Sequence, residues 1–239
     1  MVDSSVGGKT GINLPSGKNR LGSFYPPNLV CSTTEYLLTL ETSQIQSGLG
    51  EVFKHCVLDS TEMVQWFLEE VVEQPNWLRK PNLSRHIKDV CGIKARIVEA
   101  DELEKGIRKW LNFGHTVGHA IEKLSSYGEV LHGQAVLVGM WIEASWTCSK
   151  GWTTPHVVRA IENVCKKLDM SIQIRDTISS ETLFDAISFD KKMQCDKLQL
   201  AVVENFGLAS IRDLDRQEIL QMSAFASQFL KLHFSSIPS

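Results

Sequence analysis

The sequence predicts a mainly α-helical protein with one short β-hairpin, preceded by a loop-rich segment. Three observations carry that prediction. Residues 1 to 35 hold Gly7, Gly8, Gly11, Gly17, Gly22, Pro15, Pro26 and Pro27, a density of chain breakers that leaves only loops and short extended pieces. From about residue 40 onward, apolar residues recur at helical spacing. The stretch LQLAVVENFGLASIR reads instead as two extended runs around Asn205-Phe206-Gly207. There is no βαβ alternation and no internal repeat.

The helices follow in order. Ser43-Gln44-Ile45-Gln46 has the form of a capping box and predicts a helix opening there. Met63, Phe67 and Val71 predict a helix over 61–73, and Leu83, Ile87, Val90 and Val98 another over 82–101. An apolar helix is expected over 133–150. Thr154-Pro155 is a cap followed by proline at the first helical position, continued by Val158, Ile161, Cys165 and Leu168. Asp215 leads a last helix with Ile219, Met222, Phe225 and Phe229.

Bulk properties exclude several classes. With 239 residues, 43% of them hydrophobic, the chain can bury a core. A net charge of −3 speaks against a nucleic-acid partner. The six cysteines are scattered with no C-x-x-C pair, as free thiols in a reducing compartment would be. No stretch reaches the roughly 20 apolar residues of a membrane span. No basic region followed by an apolar run opens the chain. The expectation is a cytoplasmic protein with no membrane partner.

The chemistry-bearing stretches are few. DSSVGGKTG, residues 3 to 11, looks like a phosphate cradle. The P-loop pattern needs a glycine where Asp3 stands and a strand before it, and neither is present. Residues 104 to 122, EKGIRKWLNFGHTVGHAIE, read as one helix would put Arg108, Asn112, His115, His119 and Glu122 on one face. Gly114 and Gly118 inside it imply that something packs close to its backbone. His115 and His119, four apart, could share a metal, with His132 in LHGQA completing a zinc site. In GLGEVFKHC, Glu51 is either a surface carboxylate or a metal ligand beside a substrate-binding Lys54. Lys94 lies on an apolar stripe, either snorkelling at its edge or buried against an anion. Lys9, Lys18, Lys191 and Lys192, with Arg108, would make a pocket for a phosphate and a carboxylate.

Taken together, VDSSVGGKTGINLPSGKNRLGSFYPP, GLGEVFK, LNFGHTVGHAIE, LHGQAV and FDKKMQ closely resemble 3-dehydroquinate synthase, of the sugar-phosphate cyclase superfamily, in order and with matching spacing. The resemblance implies the C-terminal helical domain of that fold over residues 39–239. Residues 1–38 would be a remnant of an α/β nucleotide-binding domain. It implies conversion of 3-deoxy-D-arabino-heptulosonate 7-phosphate to 3-dehydroquinate in the shikimate pathway, with NAD+ and Zn2+, Co2+ being an alternative metal.

Matching residue by residue, Glu51, His115 and His132 would ligate the metal, and His119 would contact the substrate phosphate. Lys9, Asn19, Asn112 and one of Lys191 and Lys192 would share that phosphate. Lys54, Lys94 and Arg108 would hold the carboxylate and hydroxyls, and Glu104 would be a pocket carboxylate. Asp3 and Lys18 would lie near the nicotinamide, and Thr39, Leu40 and Gln44 on the adenosine side. Gln134 stands where many members have glutamate, which implies a modest change in metal orientation. The family's homodimer is expected. The pyrophosphate-binding turn of its N-terminal domain is not in these residues, so the chain alone is expected to be inactive unless that half is supplied separately. Other readings are a related cyclase making an inosose or valiolone, a non-catalytic metal-binding fragment, and a metal-dependent alcohol dehydrogenase.

Overall fold

A computed structural model of the chain describes residues 1–14, 17–74, 76–125, 130–170, 172, 174–175, 178–190, 197–234 and 236–237. The front segment forms an antiparallel hairpin, β1 (Lys9–Leu14) with β2 (Gly17–Phe24), and Gly11 pairs with Gly22 in the middle of its register. A 3₁₀ turn, Thr34–Thr39, leads into α1 (Thr42–Asp59). The cap of α1 is Glu41, so Ser43 lies inside the first turn and the expected capping box does not open this helix.

Ser60 ends α1 and caps the next helix by accepting from Met63 N. That helix, α2 (Thr61–Trp66), continues as a π-helical turn over Phe67–Val72. A short 3₁₀ turn, Trp77–Arg79, precedes α3 (Leu83–Ala100). Residues 104 to 122 are not one helix. A 3₁₀ turn spans Ile107–Asn112, Gly114 takes φ +79°, and only then does α4 (His115–Leu124) begin. The left-handed backbone at Gly114 favours glycine and breaks the helical repeat.

The remaining elements are α5 (His132–Ser149), α6 (Pro155–Lys167), β3 (Ile174–Arg175), α7 (Ser180–Asp190), β4 (Leu198–Asn205), β5 (Leu208–Leu214), α8 (Arg216–His233) and β6 (Ser236–Ile237). β4 and β5 form the expected hairpin, with Gly207 at φ +72° in its turn. Asp215 caps α8, accepting from Glu218 N while the Glu218 carboxylate accepts from Asp215 N. β3 and β6 add a two-residue parallel pair.

α5 is the axis of the core. Ala135, Val136, Leu137, Val138, Met140 and Ile142 are wholly buried, which requires apolar residues all round rather than on one face. α1, α4, α6 and α8 pack around it. The contacts with α1 and α4 run backbone to backbone. A Cβ built on Gly133 would lie 1.7 Å from Ser47 O, and one on Gly139 would lie 2.1 Å from Gly114 O. Gly133→Ala should therefore push α1 from α5 and cost at least the ~1–3 kcal/mol typical of an overpacked core. A thermal melt with an unchanged midpoint would contradict this. Among the described residues the cysteines are free thiols, and no helix is long and apolar enough to cross a membrane.

Candidate metal centre and polar cleft

Three helices bring together groups far apart in the chain. α1 presents Glu51 and Lys54, the start of α4 presents His115 and His119, and the first residue of α5 is His132. Glu51 Oε1 stands 3.2 Å from His132 Nε2 and 3.6 Å from His115 Nε2. The ligand nitrogens of His115, His119 and His132 all lie within 4.8 Å of one another.

The other ring nitrogen of two of these histidines is engaged. His115 Nδ1 is 3.2 Å from the Phe113 carbonyl, which can only accept, so Nδ1 carries the hydrogen and the Nε2 lone pair faces Glu51. His132 Nδ1 donates to Glu122 Oε2 at 2.9 Å. Burial, then the nearby Lys54 ammonium, lowers His115 to about 3, so its imidazole is neutral. Hydrogen bonds to Glu122 and then Glu51 raise His132 to about 9.

Glu51 is ionised despite its burial, because Lys54 Nζ at 2.5 Å and the imidazoles hold its carboxyl far below the usual range. Its buried Oε1 lies 3.6 Å from His115 Nε2. A neutral imidazole lone pair therefore faces a carboxylate oxygen with no proton between them. That pairing is repulsive by itself and suits a bound cation. One carboxylate oxygen and two imidazole nitrogens, the imidazoles oriented from behind, are a donor set of the kind zinc takes with a position left open.

A second cluster, Asp3, Glu51 and His55, also has three potential ligand atoms within 4.8 Å. Ammonium groups already fill it. Asp3 Oδ1 lies 3.1 Å from Lys94 Nζ, 3.1 Å from His55 Nε2 and 3.7 Å from Lys54 Nζ. Lys54 is buried, and Glu51 and Asp3 raise its pKa against the cost of desolvation. Lys94, the residue on the apolar stripe, is buried against Asp3 rather than snorkelling, and burial lowers its pKa.

Asp3, Lys9, Lys54, Lys94, Glu104, Arg108, Leu111, Asn112, His115, His119 and His132 line one polar cleft that opens to solvent. Glu104, at φ +58°, pairs with Lys9 and accepts from Asn112 Nδ2 at 2.9 Å. Arg108 is buried and donates to the carbonyls of Glu102 and Gly7. A Cβ at Gly7, where φ is +104°, would meet that guanidinium at 2.8 Å, so the glycine of the opening stretch makes room for Arg108.

The structure thus brings His115 and His132 into one cleft with most of the predicted substrate residues, and sets the buried Glu51 behind them. Thr39, Leu40 and Gln44 are exposed near the start of α1 and do not line it. Lys18 and Asn19 lie on β2, but their side chains fall outside what is described, and Lys191 and Lys192 lie outside the described residues. Gln134 Oε1 accepts from Leu131 N at 3.1 Å and so caps the turn of α5 that begins with His132.

Sequence reasoning gave no site role to four supporting residues. Glu122 orients His132, and its place on the expected polar face was the signal for it. His55 contacts Asp3. Asp101 accepts from the N–H groups of Lys105, Gly106 and Arg108 and so shapes the loop bearing Glu104 and Arg108. Glu143, the one acid in an apolar helix, accepts from Gly114 N and Val117 N.

The family model described as 3-dehydroquinate synthase N-terminal matches residues 1–47, and that described as 3-dehydroquinate synthase C-terminal matches residues 48–193. A 3-dehydroquinate synthase of Alkaliphilus metalliredigens is 40% identical over 210 residues, covering 86% of this chain and 57% of that protein. The chain thus spans somewhat under two thirds of the length of such relatives. Among solved structures, 2-epi-5-epi-valiolone synthase from Streptomyces hygroscopicus, with NAD+ and Zn2+ bound, superposes with a TM-score of 0.81 at 20% identity, covering 95% of this chain and 63% of that one. A 2-deoxy-scyllo-inosose synthase complexed with carbaglucose-6-phosphate, NAD+ and Co2+ superposes at 0.79 and 23% identity, covering 93% of this chain and 63% of that one. The structures share the fold, while the matched sequence, with both domain models met in order, shows that the chain belongs to the 3-dehydroquinate synthase family.

Proposed function

We propose that this chain forms the metal- and substrate-binding part of a 3-dehydroquinate synthase. Its reaction would convert 3-deoxy-D-arabino-heptulosonate 7-phosphate to 3-dehydroquinate and phosphate, with residues 39–239 as the helical domain and residues 1–38 as the cofactor-side segment. The observation that carries this reading is the convergence of Glu51, His115 and His132 beside a cleft lined with Lys9, Lys54, Lys94 and Arg108. A doubly anionic sugar acid needs such a set of cations, and a simple alcohol does not. The sequence identity to 3-dehydroquinate synthases favours that substrate over those of the inosose- and valiolone-forming neighbours.

Glu51, His115 and His132 would hold Zn2+, or Co2+ in its place. Asp3 and Lys18 would face the nicotinamide of NAD+, with Thr39, Leu40 and Gln44 toward the adenosine. When bound, the metal would acidify a substrate hydroxyl and NAD+ would take and return a hydride. The chain's own residues position and neutralise charge. Lys54, Lys94 and Arg108 would clamp the carboxylate and hydroxyls. Lys9, Asn112 and His119, with Asn19 and one of Lys191 and Lys192, would hold the phosphate. Glu104 restrains Lys9 and Asn112 from the side.

The family's remaining region, or a second copy of the chain, is a proposed partner. Ile12, Leu21, Phe24, Tyr25, Leu29, Tyr36 and Leu38 are exposed apolar side chains on the front segment, more than an isolated protein ordinarily leaves uncovered. Calorimetric titration with Zn2+ and then the heptulosonate phosphate tests the reading. Binding that requires the metal and is lost in Arg108→Ala is expected. A metal-loaded chain that ignores this ligand, or prefers carbaglucose-6-phosphate, would overturn it.

A further inference from the structure

The first N–H groups of a helix lack acceptors within it and must be satisfied from outside. At the start of α4 its own N-cap residue is Gly114, which has no side chain to offer. The acceptor comes from another helix. Glu143, on α5, accepts from Gly114 N through Oε2 at 2.8 Å and from Val117 N through Oε1 at 2.9 Å. Glu143 is 0% exposed and is not among the residues lining the cleft. A carboxylate so deeply buried is retained only where charge-assisted hydrogen bonds and a helix N-terminus compensate for lost water.

The placement around His115 is specific. Gly114 precedes it, Val117 follows by two, and the Phe113 carbonyl that fixes its ring belongs to the same turn. The glycine contacts let α4 come close enough for the short link. A Cβ on Gly114 would strike Met140 at 2.3 Å, and one on Gly118 would meet Ala135 O at 2.9 Å.

We propose that Glu143 is a positioning residue for the metal centre. It pins the first turn of α4 from within the core and so aims His115 Nε2 at Glu51. This inference rests on His115 being a metal ligand. Glutamine at 143 keeps the shape, but its amide can accept through one atom only, leaving one of the two N–H groups facing another donor.

The test is Zn2+ affinity of the full chain by competition with a chromophoric chelator, together with the visible spectrum of the Co2+-loaded protein. Glu143→Gln should weaken Zn2+ by about 10- to 100-fold, as loss of a group orienting a ligand does, and should shift the Co2+ bands. Ile142→Val, a neighbouring core change, should lower thermal stability while leaving both readouts unchanged. Should Glu143→Gln not fold, Glu143→Asp, which keeps the charge but shortens the reach, takes its place with the same expectation. Unchanged affinity and spectrum in the Glu143 variant would overturn the proposal, as would an equal loss in Ile142→Val. A wild-type chain that binds neither ion would overturn the metal assignment itself.

Discussion

Glu51→Gln will lose Zn2+ affinity by more than the 10- to 100-fold attached to groups behind a ligand, because it removes a ligand. Glu51 Oε1 is the atom on which His115 Nε2 and His132 Nε2 converge, at 3.6 and 3.2 Å. Its neutral amide replacement carries no charge to share with a cation. The same change strips Lys54 of its nearest counter-charge, 2.5 Å away, leaving, among the described residues, Asp3 at 3.7 Å. The variant should therefore hold Lys54 with a lower pKa as well as lose the metal. Chelator competition with circular dichroism as a folding control reads the result. A folded Glu51→Gln protein binding Zn2+ within tenfold of wild type would remove the basis for the assigned centre.

Asp3→Asn is expected to be the most destabilising single change in the cleft. One carboxylate serves Lys54, Lys94 and His55. Removing one member of a buried ion pair costs about 3–5 kcal/mol, and the low end applies here because the Asp3 side chain is 25% exposed. The effect depends on pH. Burial opposes ionisation of Asp3, but Lys54, His55 and Lys94 together hold its carboxyl well below the usual range. A carboxyl depressed on folding contributes stability that is complete above its unfolded pKa, about 3.9, and is lost as pH falls toward the folded value. The gap between wild type and variant should therefore be widest at neutral pH and narrow below about pH 4. Urea midpoints at several pH values measure it. A gap that stays constant into acid would show that Asp3 acts by something other than its charge.

Much of this was legible in the sequence because the signals were local. Thr154-Pro155 marks the start of α6, Asn205-Phe206-Gly207 the turn of the β4–β5 hairpin, and Asp215 with Glu218 the cap of α8. Of the polar set over 104–122, Arg108, Asn112, His115 and His119 do share one cleft, but on another scaffold than a single helix. A continuous helix would align Arg108 with His115, whereas a 3₁₀ turn and the left-handed Gly114 deliver them to the same cleft. Glycine is compatible with both outcomes, so periodicity could not choose between them. The Ser43 pattern failed because a capping box is only a local option, and here the chain enters the helix earlier, at Glu41. Asp101 and Glu143 act on groups in other turns and helices, and nothing about their own neighbours in the sequence announces that.

The glycine seams have a consequence for selectivity among metal ions. Gly133 against Ser47 and Gly139 against Gly114 join the three helices by main-chain atoms, which have no rotamers to yield. Adjustment around an ion is then left to the side chains of Glu51, His115 and His132 rather than to the helix backbones. Ions that take nitrogen and oxygen at about 2.0–2.2 Å, as zinc does, would sit without parting the helices. Calcium, which asks for six to eight oxygens, would find one carboxylate and two imidazoles the wrong donors and too few.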